Sequence, residues 1–320
     1  MVNFALIAIC ILAGVLLRRA GVLADGAHKG INTWIIYLAV PAVALKYIPT
    51  ISWSNELILP AIMPLIVWTG SWLLFRLYSL RWPMEPATRT ALTLTAGLGN
   101  TSFLGFPLIQ GYFGDHALPI AVISDQASFI IMSTLGAIMA MDTRPLPALA
   151  KGEGSTANYH IDATGTDKIK MSVAIKRLLL FPPFIAFIAA LILPRFISLA
   201  PITPLFDKIA ATLVPLALFS VGMQLSFSGW RQEWRLLLVG IGYKLILAPA
   251  LILAIILALH LHGIIPDISL FEAAMAPMIT AGVIAAQYDL NPKMANLMIG
   301  LGIIFSFATT ALWWLVLQWV

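Results

Sequence analysis

The sequence predicts an all-α polytopic membrane protein with ten transmembrane helices, built as two inverted five-helix repeats. Three observations predict it. Of 320 residues, 60% are hydrophobic and only 10% charged, and the mean hydropathy of +0.94 excludes a soluble globular domain of ordinary composition. The apolar residues fall into ten segments of about 20 residues, the length that crosses a bilayer. Prolines also recur at a nearly constant offset: Val40-Pro41 returns as Val214-Pro215, and Pro107 returns as Pro277.

In chain order the expected spans are 3–19, 31–48, 57–78, 89–112, 117–140, 172–193, 205–225, 234–258, 270–288 and 294–318. The first is no signal peptide, because its charges, Arg18 and Arg19, follow the apolar run instead of preceding it. Residues 1–141 form the first repeat and 172–320 the second. Between them 142–171, with Gly152-Glu153-Gly154-Ser155-Thr156, reads as a flexible linker. Alternate loops hold fifteen Lys and Arg on one side against three on the other, with Lys244 left inside span eight. The positive-inside rule therefore places the linker in the cytoplasm and both termini outside, in a cell (inner or plasma) membrane. An odd number of spans per half makes the two halves insert in opposite senses, as in alternating-access carriers.

Span four contains Gly97-Leu98-Gly99-Asn100-Thr101-Ser102-Phe103-Leu104-Gly105-Phe106-Pro107. The glycines weaken a helix and Pro107 removes a backbone donor, so main-chain groups here lose their partners at a depth where an unpaired one costs several kcal/mol. Such a break must face protein, water or ligand. Asn100 offers donors and an acceptor, Thr101 and Ser102 offer hydroxyls, and a half-helix N-terminus adds partial positive charge, a set suited to a carboxylate. The alternative is that these residues bond freed carbonyls and let helices pack closely. Span nine carries a milder break with Pro277, Thr280 and Gly282; for Thr280, back-bonding to its own helix competes with ligand contact. Pro41, from the repeated Val-Pro, completes the candidate substrate-binding set.

Asn100-Thr101-Ser102-Phe103-Leu104-Gly105-Phe106-Pro107 resembles the Asn-Thr-x-x-x-Gly-x-Pro signature of the auxin efflux carrier family, whose bacterial members include malate and malonate permeases. Val214 to Leu225, Glu272 to Pro277 and Ala285 to Asp289 are similar to the family's seventh and ninth helices. The resemblance implies the fold of bile-acid sodium symporters: broken helices four and nine cross in a transport subdomain, against a scaffold of spans one, two, six and seven. It implicates Asn100, Pro107 and Pro277 by the crossover. The short linker departs from the long regulatory loop of plant carriers, so phosphosite regulation and auxin itself are not implied.

Two ionisable residues fall deep in spans, Asp125 in span five and Lys244 in span eight, and are expected to form an ion pair or a proton-coupling site. Glu56, Asp115, His116, Asp267 and Glu272 are expected at solvated outer ends, and Trp313, Trp314 and Trp319 at the outer interface. His260 and His262 make a poor metal site, and Cys10 reads as a small core residue. Neither His-Glu-x-x-His, Gly-x-Ser-x-Gly nor a Walker loop occurs, and the basic residues form no nucleic-acid patch. The expected function is a secondary transporter of small organic anions (auxin-like, mono- or dicarboxylate) and not an enzyme. It needs no cofactor or metal, couples to protons through Asp125 in preference to sodium, and has the lipid bilayer and the anion as partners, with a homodimer left open. A transporter-like sensor or channel is the alternative, and an intramembrane enzyme lacks a second carboxylate at the depth of Asp125.

Overall fold

The computed structural model describes residues 2–24, 26–51, 54–143, 179–225 and 230–319; nearly all of the expected linker, 142–171, lies outside them. The described chain is helical throughout, with no strand. In order it forms α1 (Val2–Arg19), α2 (Ala27–Thr50), α3 (Asn55–Arg81), α4 (Pro86–Gly97), α5 (Phe106–Tyr112), α6 (Asp115–Thr143), α7 (Pro182–Arg195), α8 (Thr203–Gln224), α9 (Trp234–Ala258), α10 (Ile264–Ala273), α11 (Ile279–Gln287) and α12 (Pro292–Leu317). Six of these, α2, α3, α6, α8, α9 and α12, are long and apolar enough to cross a membrane. Their outward faces carry large apolar side chains such as Leu80 and Leu238, each more than 60% exposed. Water would not tolerate so wide an apolar surface, and hydrocarbon does.

Glycine decides the tightest helix contact. Gly14 of α1 and Gly222 of α8 face each other's backbones: a Cβ on Gly14 would fall on the Phe219 carbonyl, and one on Gly222 on the Ile11 carbonyl. Lipid gives helices no hydrophobic reason to associate, so close backbone approach through small residues supplies the attraction. Helix α2 packs on both α7 and α8, and α1, α2, α7 and α8 thus form one connected group. Lys46 of α2 closes an ion pair with Asp207 of α8 at 2.8 Å.

Two tyrosine and tryptophan heads tie α9 into the bundle. The Tyr243 hydroxyl donates to the Val67 carbonyl at 2.6 Å, and Trp313 Nε1 donates to the Leu245 carbonyl at 2.8 Å. Trp313 is thus an interior residue, 7% exposed, and not the interface marker expected of it; Trp319, 88% exposed, stays outside. The two differ because Trp313 lies on the face of α12 that meets α9. Tyr243→Phe deletes one buried bond and is expected to cost about 1 kcal/mol, read as a lower thermal midpoint of the purified protein in detergent.

Candidate functional site

Two short stretches inside the bundle leave helical geometry. After α4 ends at Gly97, Leu98 is extended (φ −123°, ψ 133°) and Asn100 sits at φ −81°, ψ 68°; after α10 ends at Ala273, the chain is extended at Met278 (φ −65°, ψ 128°). The stretches run antiparallel and pair. Asn100 N–H donates to the Ala276 carbonyl at 2.7 Å, Met278 N–H donates to the Leu98 carbonyl at 2.9 Å, and Gly99 faces Pro277 between these two bonds. The Gly99–Pro277 position is the one where neither residue bonds across the pair, so the missing N–H of proline costs nothing there. Each stretch thereby satisfies donors and acceptors that the other exposes, in a place where water cannot.

The side chains of the first stretch then turn to α6. Thr101 Oγ1 donates to Asp125 Oδ1 at 2.6 Å, Gln126 Nε2 approaches Asp125 Oδ2 at 3.4 Å, and the Ser102 side chain faces the same carboxyl. Asn100 caps the turn that follows, its Oδ1 accepting from Phe103 N–H at 3.2 Å, while its Nδ2 has no partner. Thr101→Val removes the main donor to Asp125 and is expected to destabilise the protein by roughly 1.5–3 kcal/mol, as for a hydrogen bond to a charged group; thermal unfolding in detergent measures it.

The second stretch brings α10 and α9. Lys244, 1% exposed, donates from Nζ to the carbonyl of Ala273, the last residue of α10, at 2.8 Å. Asp125 and Lys244 do not pair directly, because Lys244 turns to that carbonyl while Asp125 turns to Thr101. The ion pair Lys46–Asp207 lies elsewhere, between α2 and α8. The group between Asp125 and Lys244 is Glu272, which feels the charges of both. It is 1% exposed, its two carboxylate oxygens have no hydrogen-bond partner, and a Cβ on Gly105 would lie 2.8 and 2.9 Å from them. Glu272 is therefore not at a solvated end, as its place near the start of an apolar segment suggested. The available signal was its position five residues ahead of Pro277, inside the expected break.

Pro107 is buried just after a π-helical turn, Thr101–Gly105, that runs into α5, and the non-helical break lies before both at Leu98–Asn100. It is not the spatial counterpart of Pro277; Gly99 is. Thr280, half-buried, follows the second stretch as the second residue of α11. Pro41 lies half-buried within α2.

Among the described residues, six buried side-chain atoms lack a hydrogen-bond partner: Trp68 Nε1, Asn100 Nδ2, Ser124 Oγ, Gln126 Oε1 and both Glu272 oxygens. All but the first belong to residues of the crossing or of α6 beside it. An orphaned buried polar group costs about 1–3 kcal/mol, so these are atoms that water or a bound ligand would satisfy. A cavity of about 520 Å3 runs from the α1–α2 turn to Ile279 and Gly282 of α11. Arg18, His28 and Lys29 line its wall together with Gln224 and Asn296.

The family model described as "Membrane transport protein" matches residues 2–314. An uncharacterized transporter of Methanothermobacter thermautotrophicus is 25% identical over 316 residues, covering 97% of this chain and 95% of that protein. One of Methanocaldococcus jannaschii is 23% identical over 323 residues, covering 98% and 97%. With the Asn100–Pro107 signature and this match over nearly its whole length, the chain belongs to the membrane transport protein family, the auxin efflux carriers.

Proposed function

We propose that this protein is a secondary transporter of small organic anions, mono- or dicarboxylates, working by alternating access around the paired stretches at Gly99 and Pro277. The observation that carries this reading is the pairing itself, with the unpartnered Asn100 amide beside it. A solely structural kink would bond its own side chains; this one leaves a donor free in a buried place. The antiparallel approach of α4–α5 and α10–α11 is what two five-helix repeats of opposite sense produce, and it supports the ten-span organisation with helices four and nine broken. In that organisation α1, α2, α7 and α8 form the scaffold, and the paired stretches with α3, α6, α9 and α12 move against it. The cavity lies along the boundary, between the α1–α2 turn and the end of α8 on one side and α11 and α12 on the other. Its basic wall lies on the cytoplasmic side by the distribution of Lys and Arg and draws an anion toward Asn100, while the carboxyls of Asp125 and Glu272 offer a place for a coupling proton.

Counterflow in proteoliposomes tests the reading. Vesicles preloaded with unlabelled malate, malonate or a monocarboxylate are expected to accumulate the labelled compound transiently above equilibrium. A channel gives no such overshoot, and its absence across the panel overturns the proposal. Lys29→Ala, an exposed charge at the cavity mouth, is expected to raise KM roughly threefold to fivefold, the worth of one solvated charge, with the maximal rate unchanged.

A further inference from the structure

We propose that the ammonium of Lys244 is a resident cation: it fills a monovalent-cation site built into the crossing, and removing it opens that site to a free alkali ion.

The argument starts from what surrounds Nζ. Lys244 lies in a widened turn of α9, Tyr243–Leu247, and is buried to 1% exposure. An ammonium has three donors, and its bond goes to the carbonyl of Ala273, where α10 ends and its last carbonyls lack helical partners. The neighbouring atoms are of the same kind. A Cβ on Gly99 would lie 3.3 Å from both Lys244 Nζ and the Glu272 main-chain oxygen, so the ammonium rests against the first stretch beside a second carbonyl. The negative end of the α10 dipole, the Glu272 carboxylate and, beyond it, the Asp125 carboxylate all bias this point toward positive charge. No other cationic side chain is assigned to the crossing among the described residues. Backbone carbonyls and carboxylates are the oxygen donors that hold hard cations, so the surroundings of Nζ have the chemistry of a cation site already filled.

The unpartnered oxygens of Glu272 add to this, since a buried carboxyl that bonds nothing either takes a proton or is balanced by charge held nearby, and Lys244 is the cation that acts on it. A tethered ammonium supplies that balance without any ion from solution. The inference goes beyond the transport reading and needs no substrate to test.

Wild type, Lys244→Ala, Lys244→Met and Lys244→Arg are purified in detergent in sodium chloride, then unfolded thermally in sodium chloride or in choline chloride of equal ionic strength. Wild type and Lys244→Arg are expected to unfold at the same temperature in both salts. Lys244→Ala, which leaves room for an ion, is expected to unfold several degrees lower in choline and to recover saturably as sodium replaces it. Lys244→Met, which removes the charge but fills the room, is expected to stay low in both, and Glu272→Gln in the Lys244→Ala background is expected to abolish the recovery. A saturable sodium response in wild type overturns the proposal. So do equal responses of the Ala and Met variants, or aggregation of Lys244→Ala even in sodium.

Discussion

Gly222→Val is expected to leave almost no folded protein in the membrane. Gly14 and Gly222 interlock α1 and α8, and the atoms that a side chain would meet are main-chain atoms, Phe219 O and Met223 N on one side and Ile11 O on the other. A flexible side chain can rotate away from an intruding methyl, but a helix backbone moves only by displacing the whole helix. Overpacking a well-filled site costs about 1–3 kcal/mol even where side chains adjust, and separating the helices also forfeits the close contact that holds them together in lipid. The loss spreads, because Arg18 at the end of α1 donates to the Met223 carbonyl and positions the same helix end. Valine at 222 should therefore largely abolish the monodisperse peak in size-exclusion chromatography, with Gly222→Ala between. Gly242, which has nothing within 4 Å of a built Cβ, is the control, and Gly242→Ala should leave the peak intact.

Much of this organisation is legible in composition because a bilayer allows few architectures. The long apolar segments become α2, α3, α6, α8, α9 and α12, and the polar, glycine-rich run of span four does interrupt a helix. Asn100 and Thr101 are legible for the same reason: a polar pair at that depth needs partners. What is not legible is register between segments. Proline reads as the agent of both breaks, but in span four the chain is already helical from Thr101, so Pro107 lies inside a helical stretch and Leu98–Asn100 opens the chain. Glu272 reads as a solvated end because it falls at the start of the expected span 270–288. Once α10 stops at Ala273, the end of that helix lies inside the protein and takes Glu272 with it. The partner of Lys244 was hidden in another way, since the acceptor is a main-chain carbonyl freed by the break and carries no mark in the sequence.

Asn100→Asp is expected to abolish transport while leaving the protein folded, and it separates the two jobs of this residue. The carboxylate of aspartate still accepts from Phe103 N–H, so the cap survives, and the backbone bond from residue 100 to the Ala276 carbonyl does not involve the side chain. Only the Nδ2 donor is lost, replaced by negative charge in a site that already holds Asp125 and Glu272. An anion bound there would meet repulsion in place of a hydrogen bond, and losing a bond to a charged partner alone is worth about 1.5–3 kcal/mol. Uptake should fall at least a hundredfold, or about 2.7 kcal/mol, in a protein that still folds but with a lower thermal midpoint, because a third buried carboxyl joins Asp125 and Glu272. Asn100→Ala makes the complementary case. It removes donor and cap together, so uptake should fall and stability should also drop by about 1 kcal/mol. If Asn100→Asp carries carboxylates at the wild-type rate, the Asn100 amide is not the anion's ligand; if only Asn100→Ala is impaired, its role is confined to capping the turn after the break.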